Sequence, residues 1–370
     1  MKMCKVAVSV GTRPEIIKMQ PVLKELKTRH NVDLAFIHTG QHYDYNMSSI
    51  FIKELDLEEP DLFLNVKSDS PGAQIGKIIG RGEQALKKLK PSAVIVQGDT
   101  NSTLGIALAG SRLKLPVGHV EAGCRSFNKE MPEEQNRVLV ADIATHHFAP
   151  TENCKRNLLH EGVAPETIFL TGHPLVDLLN KVSSFIDDKS IRKHGLSAQE
   201  YYFVTLHREE NVSNKDRLES ILKAMHSISG CNKVIFPIHP HTRKNIRKYR
   251  FTKYLRKSIV IEPVGYMEGL AMIKNAFTVL TDSGGIQQEA AILGTPCLTM
   301  RNETEWIETV QAGLNFLAGT ETEKILNTAR KIYENRNEMA RRFRKERYLF
   351  GRPPVSKKIA DIIETMTATN

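Results

Sequence analysis

Long apolar runs are missing from this sequence of 370 residues. No stretch approaches the roughly 20 apolar residues that cross a bilayer, and the strand pattern that begins at Lys5 is not preceded by the layout of a signal peptide. The five cysteines form no Cys-x-x-Cys pair, which argues against a zinc or redox site. We therefore expect a cytoplasmic protein with reduced thiols and no membrane partner.

Several catalytic motifs are also absent. There is no G-x-x-x-x-G-K-S/T loop of an NTPase, no strand followed by the G-x-G-x-x-G of nicotinamide enzymes, no H-E-x-x-H and no G-x-S-x-G elbow. His146 and His147 are adjacent, and His239 and His241 are two apart, which is poor spacing for metal ligands. The sequence therefore predicts neither a metal nor a cofactor.

Positive charge is in excess, with a formal net charge of +10. This balance fits either a nucleic acid or an acidic small substrate. The basic residues are spread along helices, and the densest run, Arg341–Arg347, has the pattern of a solvated helix face. We therefore predict no nucleic-acid partner.

Strand and helix patterns alternate along the chain in the β-α-β rhythm of an open parallel sheet. The pattern loosens over 172–198, where we place a linker. The prediction is α/β: two Rossmann-like doubly wound domains facing a cleft, at 1–172 and 173–352, with a C-terminal helix in 353–370 that packs back on the first domain. Helices are also predicted from Tyr45 to Leu55 and from Glu321 to about Arg347.

The stretch Thr281–Ala291 combines a strand end, a Ser-Gly-Gly turn and a helix start. Ser283 suits an N-cap, and the glycines let a ligand approach the backbone. Unpaired N–H groups at a helix start bind phosphate well. On this stretch alone, a plain capped turn without a ligand is an equal alternative.

Polar residues follow six of the predicted strands, and together they favour an active site more than any one does alone. The six segments are Gly11–Glu15, Gln97–Thr100, Glu121–Arg125, His207–Glu209, His239–His241 and Asp282–Gly285. One set suits a diphosphate: Arg13, Lys18, His207, Ser283, the backbone of Gly284 and Gly285, and Arg301.

A second set, Asp99, Glu121 and Glu133, consists of carboxylates, which would repel a diphosphate. Their presence beside a phosphate site indicates proton transfer on the group that is attached to the phosphate. Carboxylates that are buried near one another have pKa values that are pushed apart, which supplies an acid and a base.

Seven motifs along nearly the whole chain carry a family resemblance. They are Gly11-Thr12-Arg13-Pro14-Glu15-Ile16-Ile17-Lys18, Thr39-Gly40-Gln41-His42, Gln97-Gly98-Asp99-Thr100, His119-Val120-Glu121-Ala122-Gly123, Pro132-Glu133-Glu134-x-Asn136-Arg137, Val204-Thr205-x-His207-Arg208 and Thr281–Gln287 with Glu289. The sequence resembles the non-hydrolysing UDP-N-acetylglucosamine 2-epimerases. The resemblance implies a glycosyltransferase-B-like fold with UDP held mainly by the C-terminal domain, a homodimer, and no metal or redox cofactor.

The implied reaction interconverts UDP-N-acetylglucosamine and UDP-N-acetylmannosamine. The sugar C2 proton is not next to a carbonyl group, so simple removal and return is excluded. The family instead eliminates UDP to give 2-acetamidoglucal and adds UDP back after protonation of the other face.

The resemblance also implies roles for individual residues. Asp99, Glu121 and Glu133 are the acid/base candidates, with Asp99 as the expected C2 base, and His207 is expected beside the leaving diphosphate. The expected contacts to UDP and substrate are Arg13, Lys18, Asp99, Glu121, Arg137, His207, Val264 near uracil, Ser283, Gly284, Gly285, Glu289 at the ribose, and Arg301. A second, activating UDP-N-acetylglucosamine is expected near Gln41, His42, Gln74 and His239.

The chain departs from the family pattern at Trp306, where many bacterial members have an arginine, and at Gly269, where an aromatic residue is common. Trp306 either stacks on a ligand or packs in the interior, and Arg301 is a candidate to replace the missing arginine. The alternatives are a glycosyltransferase of the same fold, a hydrolysing epimerase, a sister epimerase acting on a modified sugar such as a diacetamido uronate, and a non-catalytic nucleotide-sugar sensor.

Overall fold

The computed structural model describes residues 3–41, 59–67, 69–186 and 189–368. The chain divides into two compact units, here called unit 1 (Met1–Lys181 and Phe350–Asn370) and unit 2 (Val182–Leu349). The predicted helix from Tyr45 to Leu55 lies outside the described residues. None of the helices in the described ranges is both long and apolar enough to cross a membrane.

Unit 1 alternates strands and helices. In chain order it contains β1 (Cys4–Val10), α1 (Arg13–Lys27), β2 (Val32–His38), β3 (Leu62–Phe63), α2 (Pro71–Leu89), β4 (Ala93–Gln97), α3 (Asn101–Arg112), β5 (Val117–Val120), α4 (Pro132–Ile143), β6 (His146–Ala149), α5 (Glu152–His160), β7 (Ile168–Leu170) and α6 (Leu175–Ser183), which ends just beyond the boundary. The strands form one sheet in the order β3-β2-β1-β4-β5-β6-β7.

Unit 2 also alternates strands and helices. Its elements are α7 (Lys189–Arg192), β8 (Tyr201–Thr205), α8 (Glu209–Val212), α9 (Lys215–Ile228), β9 (Lys233–Pro237), α10 (Pro240–Lys248), β10 (Ile259–Ile261), α11 (Tyr266–Asn275), β11 (Thr278–Thr281), α12 (Gly284–Leu293), β12 (Cys297–Thr299), α13 (Ile307–Gln311), β13 (Asn315–Leu317), α14 (Thr322–Glu334) and α15 (Arg336–Lys345). The strand order is β10-β9-β8-β11-β12-β13. The last helix of the chain, α16 (Val355–Ala368), belongs to unit 1.

Every strand pair in the described residues is parallel. The central strands are mostly apolar, because helices cover both faces of each sheet; β4, for example, is buried along its whole length and has a single polar residue, Gln97, at its end. Apolar side chains from strands and helices form separate cores in the two units. The carboxyl ends of parallel strands share one edge, so the polar segments that follow the strands of a sheet gather at that edge.

The helix that we expected from Glu321 to about Arg347 is two helices. Asn335 separates α14 from α15 with backbone angles of φ −102° and ψ 17°. Its side-chain amide donates a hydrogen bond to the carbonyl of Lys331 at 2.7 Å. Asparagine competes in this way for backbone groups and so interrupts a helix, which the helical pattern on either side does not reveal.

Candidate active site

Glu121 follows β5 directly and lies at the carboxyl edge of the unit 1 sheet. Its backbone has a φ of +71°, which is uncommon for a residue other than glycine. The Lys18 ammonium donates to both carboxylate oxygens, at 2.9 Å and 2.7 Å. The Gln97 amide and His173 Nε2, at 3.0 Å, also lie against Oε2. Three side chains from distant parts of unit 1 therefore fix one carboxylate.

The surroundings of Glu121 favour its ionised form. Burial alone raises its pKa, but the charge of Lys18 and the hydrogen bond from His173 lead the effects that outweigh burial. The net pKa of Glu121 is well below the usual glutamate value. This carboxyl group is therefore an anion across the physiological pH range.

Asp99 lies at the same edge, just after β4. Arg137 donates from Nη2 to Asp99 Oδ2 at 2.5 Å and from Nη1 to Glu134 Oε2 at 2.7 Å. Burial raises the pKa of Asp99, the Arg137 charge lowers it, the Glu121 charge raises it, and the net shift is upward. Asp99 and Glu121 therefore carry pKa shifts of opposite sign at one edge of the sheet.

The first turns of α4 support Asp99. Asn136 donates a hydrogen bond to the Asp99 carbonyl at 2.9 Å. Glu133 is half-buried in the first turn, and its negative charge contributes to the raised pKa of Asp99. Pro132 starts this helix at a position where no backbone donor is needed. The helix start therefore brings Glu133, Asn136 and Arg137 to Asp99.

The turn after β1 is held by a buried carboxylate rather than by a ligand. Glu15 Oε2 accepts from the backbone N–H groups of Gly11 and Thr12, at 2.8 Å and 2.7 Å. Its other oxygen accepts from the hydroxyls of Thr100 and Thr103, at 2.8 Å and 3.0 Å. Burial raises the pKa of Glu15 despite these donors. Glu15 thus joins the N-termini of α1 and α3.

Arg13 and Lys18, which were both predicted to contact the diphosphate, have different surroundings. Arg13 is the first residue of α1 and is exposed. Lys18 retains only 14% of its side-chain surface and pairs with Glu121. In the structure Lys18 therefore contacts a predicted acid/base carboxylate, Glu121. Arg13 remains a predicted phosphate contact.

Gln41 and Gln74, from the predicted activator site, both contact the start of α3. Gln41 Oε1 accepts from the backbone N–H and the hydroxyl of Ser102, at 2.8 Å and 2.7 Å. Gln74 Oε1 accepts from the Asn101 amide at 2.9 Å. Both glutamines are buried. These contacts give each residue a structural role in unit 1.

The other two residues of that predicted site are elsewhere. His42 lies outside the described residues. His239 belongs to unit 2, where it is exposed and caps α10 by accepting from the His241 N–H at 3.3 Å. The activator site therefore remains a prediction.

In unit 2, the buried Asp282 organises the end of β11. Its carboxylate accepts from the backbone N–H groups of His207 at 3.2 Å and Arg208 at 2.9 Å, and from the Asn211 amide at 3.3 Å. His207 Nδ1 lies 3.3 Å from Asp282 Oδ1, and 45% of the His207 side chain is exposed. Burial raises the pKa of Asp282, but the hydrogen bond and charge of His207 lead the opposing effects and the net pKa is lowered. Asp282 thus orients the exposed His207 ring.

The start of α12 has the predicted capped geometry. The Ser283 hydroxyl accepts from the Ile286 N–H at 3.5 Å, and the Ser283 N–H donates to the Thr281 hydroxyl at 3.0 Å. Gly284 has no room for a side chain, because an added Cβ would lie 2.0 Å from Glu305 Oε1. At Gly285 the nearest atom to an added Cβ is 3.9 Å away.

Two arginines share the carboxylate beside Gly284. Arg301 donates from Nη1 to Glu305 Oε2 at 2.9 Å, and Arg208 Nη2 lies 3.8 Å from Glu305 Oε1. Arg301 is buried, and its Nε and Nη2 have no hydrogen-bond partner within the described ranges. The guanidinium of Arg301 is therefore a buried positive charge close to the Ser283–Gly285 turn, and it is not exposed for direct contact with a ligand.

The two departures from the family pattern also lie in unit 2. Trp306 is 1% exposed, and its Nε1 is 3.6 Å from an added Gly284 Cβ, so this residue packs in the interior rather than stacking on a ligand. Gly269 lies in α11, where an added Cβ would be 3.9 Å from Val264. Val264 and Glu289 are both half-buried, before α11 and within α12 respectively.

The structure thus gathers Lys18, Asp99, Glu121, Glu133 and Arg137 in unit 1, and His207, Ser283, Gly284, Gly285, Glu289 and Arg301 in unit 2. No cluster of three or more His, Cys, Asp or Glu side chains that could hold a metal ion occurs among the described residues.

Sequence reasoning included Gln97 and Asp282 in the polar strand-end segments without an individual role, and it assigned no role to His173. Each lies at or just after the end of a strand, and that position was the available signal.

Comparison with known proteins shows the family. The family model described as UDP-N-acetylglucosamine 2-epimerase matches residues 24–364. A UDP-N-acetylglucosamine 2-epimerase of Methanocaldococcus jannaschii is 45% identical over 331 residues, which cover 87% of this chain and 90% of that protein. A UDP-2,3-diacetamido-2,3-dideoxy-D-glucuronate 2-epimerase of Pseudomonas aeruginosa is 36% identical over 361 residues, covering 97% of this chain and 99% of that protein.

A crystal structure agrees. The M. jannaschii UDP-GlcNAc 2-epimerase in complex with UDP-GlcNAc and UDP has a TM-score of 0.86 and 41% identity, covering 98% of this chain and 99% of that one. The predicted fold class, two doubly wound α/β domains of the glycosyltransferase-B-like type, is confirmed. The chain belongs to the UDP-N-acetylglucosamine 2-epimerase family, a family of isomerases.

Proposed function

We propose that this protein interconverts UDP-N-acetylglucosamine and UDP-N-acetylmannosamine without hydrolysing them. The observation that carries the proposal is the pair Asp99 and Glu121, two carboxylates at one sheet edge with pKa shifts of opposite sign. Such a pair supplies a proton-accepting group and a fixed anion in one place. The substrate is the one named for the relatives that match nearly the whole chain.

The reaction proceeds by elimination and re-addition. A base takes the C2 proton, the C2–H electron pair forms the C1=C2 double bond, and the C1–O bond breaks with its pair leaving on UDP. The products of this half-reaction are 2-acetamidoglucal and UDP. In the return step C2 receives a proton on the opposite face and the UDP oxygen bonds to C1, so atoms and charges balance.

Asp99 takes the C2 proton in this proposal. A base works best when its pKa approaches the working pH, and burial raises the pKa of Asp99 in that direction. Glu121, whose pKa is lowered, is the weaker base and acts as a fixed charge that raises the pKa of Asp99. Glu133, half-buried in the same group, is the remaining acid/base candidate.

Unit 2 holds UDP in this proposal. The backbone donors at the start of α12, with the Ser283 cap, bind the diphosphate through N–H groups and the helix dipole. His207 lies at the neighbouring strand end and stabilises the leaving oxygen, and Arg301 adds positive charge from below. Glu289 is assigned to the ribose and Val264 to uracil. Assembly as a homodimer and activation by a second UDP-N-acetylglucosamine rest on the family resemblance.

The test is incubation with UDP-N-acetylglucosamine in D2O. We expect deuterium at C2, a mixture of the two epimers and only traces of free UDP, measured by NMR. The matched control is Asp99→Asn, which keeps the size of the side chain but removes the base. It should lose exchange and still bind UDP, because the proposed UDP site lies in unit 2.

Other outcomes would contradict the proposal. Stoichiometric release of UDP would indicate a hydrolysing enzyme, and the absence of exchange would exclude this substrate. The second candidate is a UDP-diacetamido-uronate, since the 36% identical Pseudomonas relative with that name covers nearly the whole chain. Exchange at C2 of that sugar alone, under the same conditions, would select it.

A further inference from the structure

Glu121 has a contact that the proposed reaction does not yet use. His173 lies in the loop after β7, next to Gly172, whose φ is +92°. Its backbone N–H donates to the Phe350 carbonyl at 2.8 Å, and its side chain is completely buried. The loop therefore fixes the imidazole ring against Glu121 Oε2 at 3.0 Å.

The protonation of this ring follows from its second contact. The backbone N–H of Leu175 donates to His173 Nδ1 at 3.1 Å, so Nδ1 carries the lone pair. In a neutral ring the proton must then be on Nε2, which donates to Glu121. Burial lowers the pKa of His173 against the opposing effect of Glu121, which keeps the ring neutral.

The donors divide unequally between the two oxygens of Glu121. Oε2 receives Lys18 at 2.7 Å, the Gln97 amide and His173 at 3.0 Å. Within the part of the chain that the structure describes, Oε1 receives only Lys18, at 2.9 Å. A carboxylate oxygen offers about two lone-pair sites, so Oε2 is saturated and Oε1 keeps accepting capacity.

We propose that His173 is a positioning residue of the epimerisation: its Nε2–H occupies Glu121 Oε2 and so leaves Oε1 as the oxygen that accepts a hydrogen bond from the sugar. This inference rests on the proposed function. Lys18 balances the charge of Glu121, and the neutral His173 and Gln97 fix the plane of its carboxylate. His173 touches Glu121 and acts through it.

Two substitutions of His173 test the contributions of the two ring nitrogens separately. His173→Asn places an oxygen near Nδ1, which keeps an acceptor for the Leu175 N–H but removes the donor to Glu121. His173→Gln places its amide near Nε2 and restores that donor. We expect the asparagine variant to lose about tenfold or more in the rate of C2 exchange, as for a lost hydrogen bond to a charged group. The glutamine variant should stay within about threefold of the wild type.

The asparagine substitution should lower the rate at saturating substrate. The affinity for UDP should be unchanged in both variants. Equal losses in the two variants, or an asparagine variant within about twofold of the wild type, would overturn the proposal. If the variants do not fold, nitrogen-15 NMR of the wild-type ring decides. A neutral Nε2-protonated tautomer at pH 7 is expected, and an Nδ1-protonated or charged ring would overturn the proposal.

This experiment distinguishes two failures. Absence of exchange in the wild type would remove the proposed function, whatever the variants do. A wild type that exchanges, with variants that do not follow the order glutamine above asparagine, would remove only the role of His173.

Discussion

Asp99 and Glu121 differ in the charge that reaches each of them. Glu121 is bound on both oxygens by Lys18 and also by two neutral donors, and its pKa falls. Asp99 has one arginine, Arg137, which also pairs with Glu134, so burial prevails and its pKa rises. The different roles that we propose for these two similar residues follow from this division of positive charge.

The pH profile of C2 exchange tests this account at the residue scale. The base must be ionised, so exchange falls as the pH drops through the raised pKa of Asp99. The Arg137 charge lowers that pKa, so Arg137→Gln should raise it further and move the acid limb of the profile to higher pH. An unchanged limb, or a limb at lower pH, would show that another group is the base. UDP affinity serves as the control for folding.

The positions of these carboxylates, but not their pKa values, could be predicted from the sequence. Polar residues just after a predicted strand lie at the sheet edge, which placed Asp99 and Glu121. The shifts depend on Arg137 and His173, which are 38 residues from Asp99 and 52 residues from Glu121 along the chain. Contacts over such separations come only from the folded topology, so the role of His173 was not predicted.

At the scale of the element, the first turn of α12 contains two glycines with different steric surroundings. Packing requires a glycine at position 284, whereas position 285 has room for a side chain. The Gly284 Cα faces the Glu305 carboxylate, which is held by Arg301 and cannot move freely. At Gly285, on the same helix turn, an added Cβ would make only an ordinary contact, with Ser283 Oγ at 3.9 Å. The strand, turn and helix could be predicted from local sequence, whereas the need for glycine at 284 arises from Glu305, which is distant in sequence.

Alanine at the two positions should therefore have opposite effects on unit 2. Gly284→Ala forces Glu305 to shift and should destabilise unit 2 by about 1–3 kcal/mol, as overpacking does. Gly285→Ala should be neutral or stabilising by about 0.4–1 kcal/mol, because alanine favours the helix. Urea unfolding followed by fluorescence measures both, since Trp306 is the single tryptophan and lies in unit 2. Equal effects would contradict the steric argument.

One short strand escaped prediction for a physical reason. The strand β3 has only two residues, too few for a periodic pattern to develop. The break at Asn335 likewise depends on a single residue between two helical patterns. Longer apolar strands such as β1 and β4 were predicted, because burial on both faces leaves a continuous apolar run.

On the scale of the whole molecule, four buried histidines with lowered pKa values belong to unit 1. Burial is the leading cause in each case, and it lowers the pKa of His38 to about 4 and that of His119 to about 3. The pKa values of His147 and His173 are also lowered. In the unfolded chain such residues titrate near 6.5. Protons therefore bind more strongly to unfolded unit 1 than to the folded unit.

Acid should consequently destabilise unit 1. The stability is present above about pH 6.5 and falls as the pH drops towards the folded values, by about 1.4 kcal/mol per pH unit for each of His38 and His119. Hydrogen exchange of unit 1 peptides at pH 7 and pH 5, corrected for intrinsic rates, measures the change. Trp306 fluorescence follows unit 2 in the same samples. Equal protection of unit 1 at the two pH values would contradict the pKa shifts.

Unit 1 is built from both ends of the described chain. Buried residues of α16, including Val355, Ile359 and Ile363, pack with this unit, and Arg29, just after α1, pairs with Asp361 at 2.8 Å. During synthesis on the ribosome, unit 2 emerges as one uninterrupted stretch and can fold as soon as it is complete. The surface of α1 that α16 covers stays open until α16 has left the exit tunnel. The nascent chain therefore carries an exposed apolar face throughout the translation of unit 2.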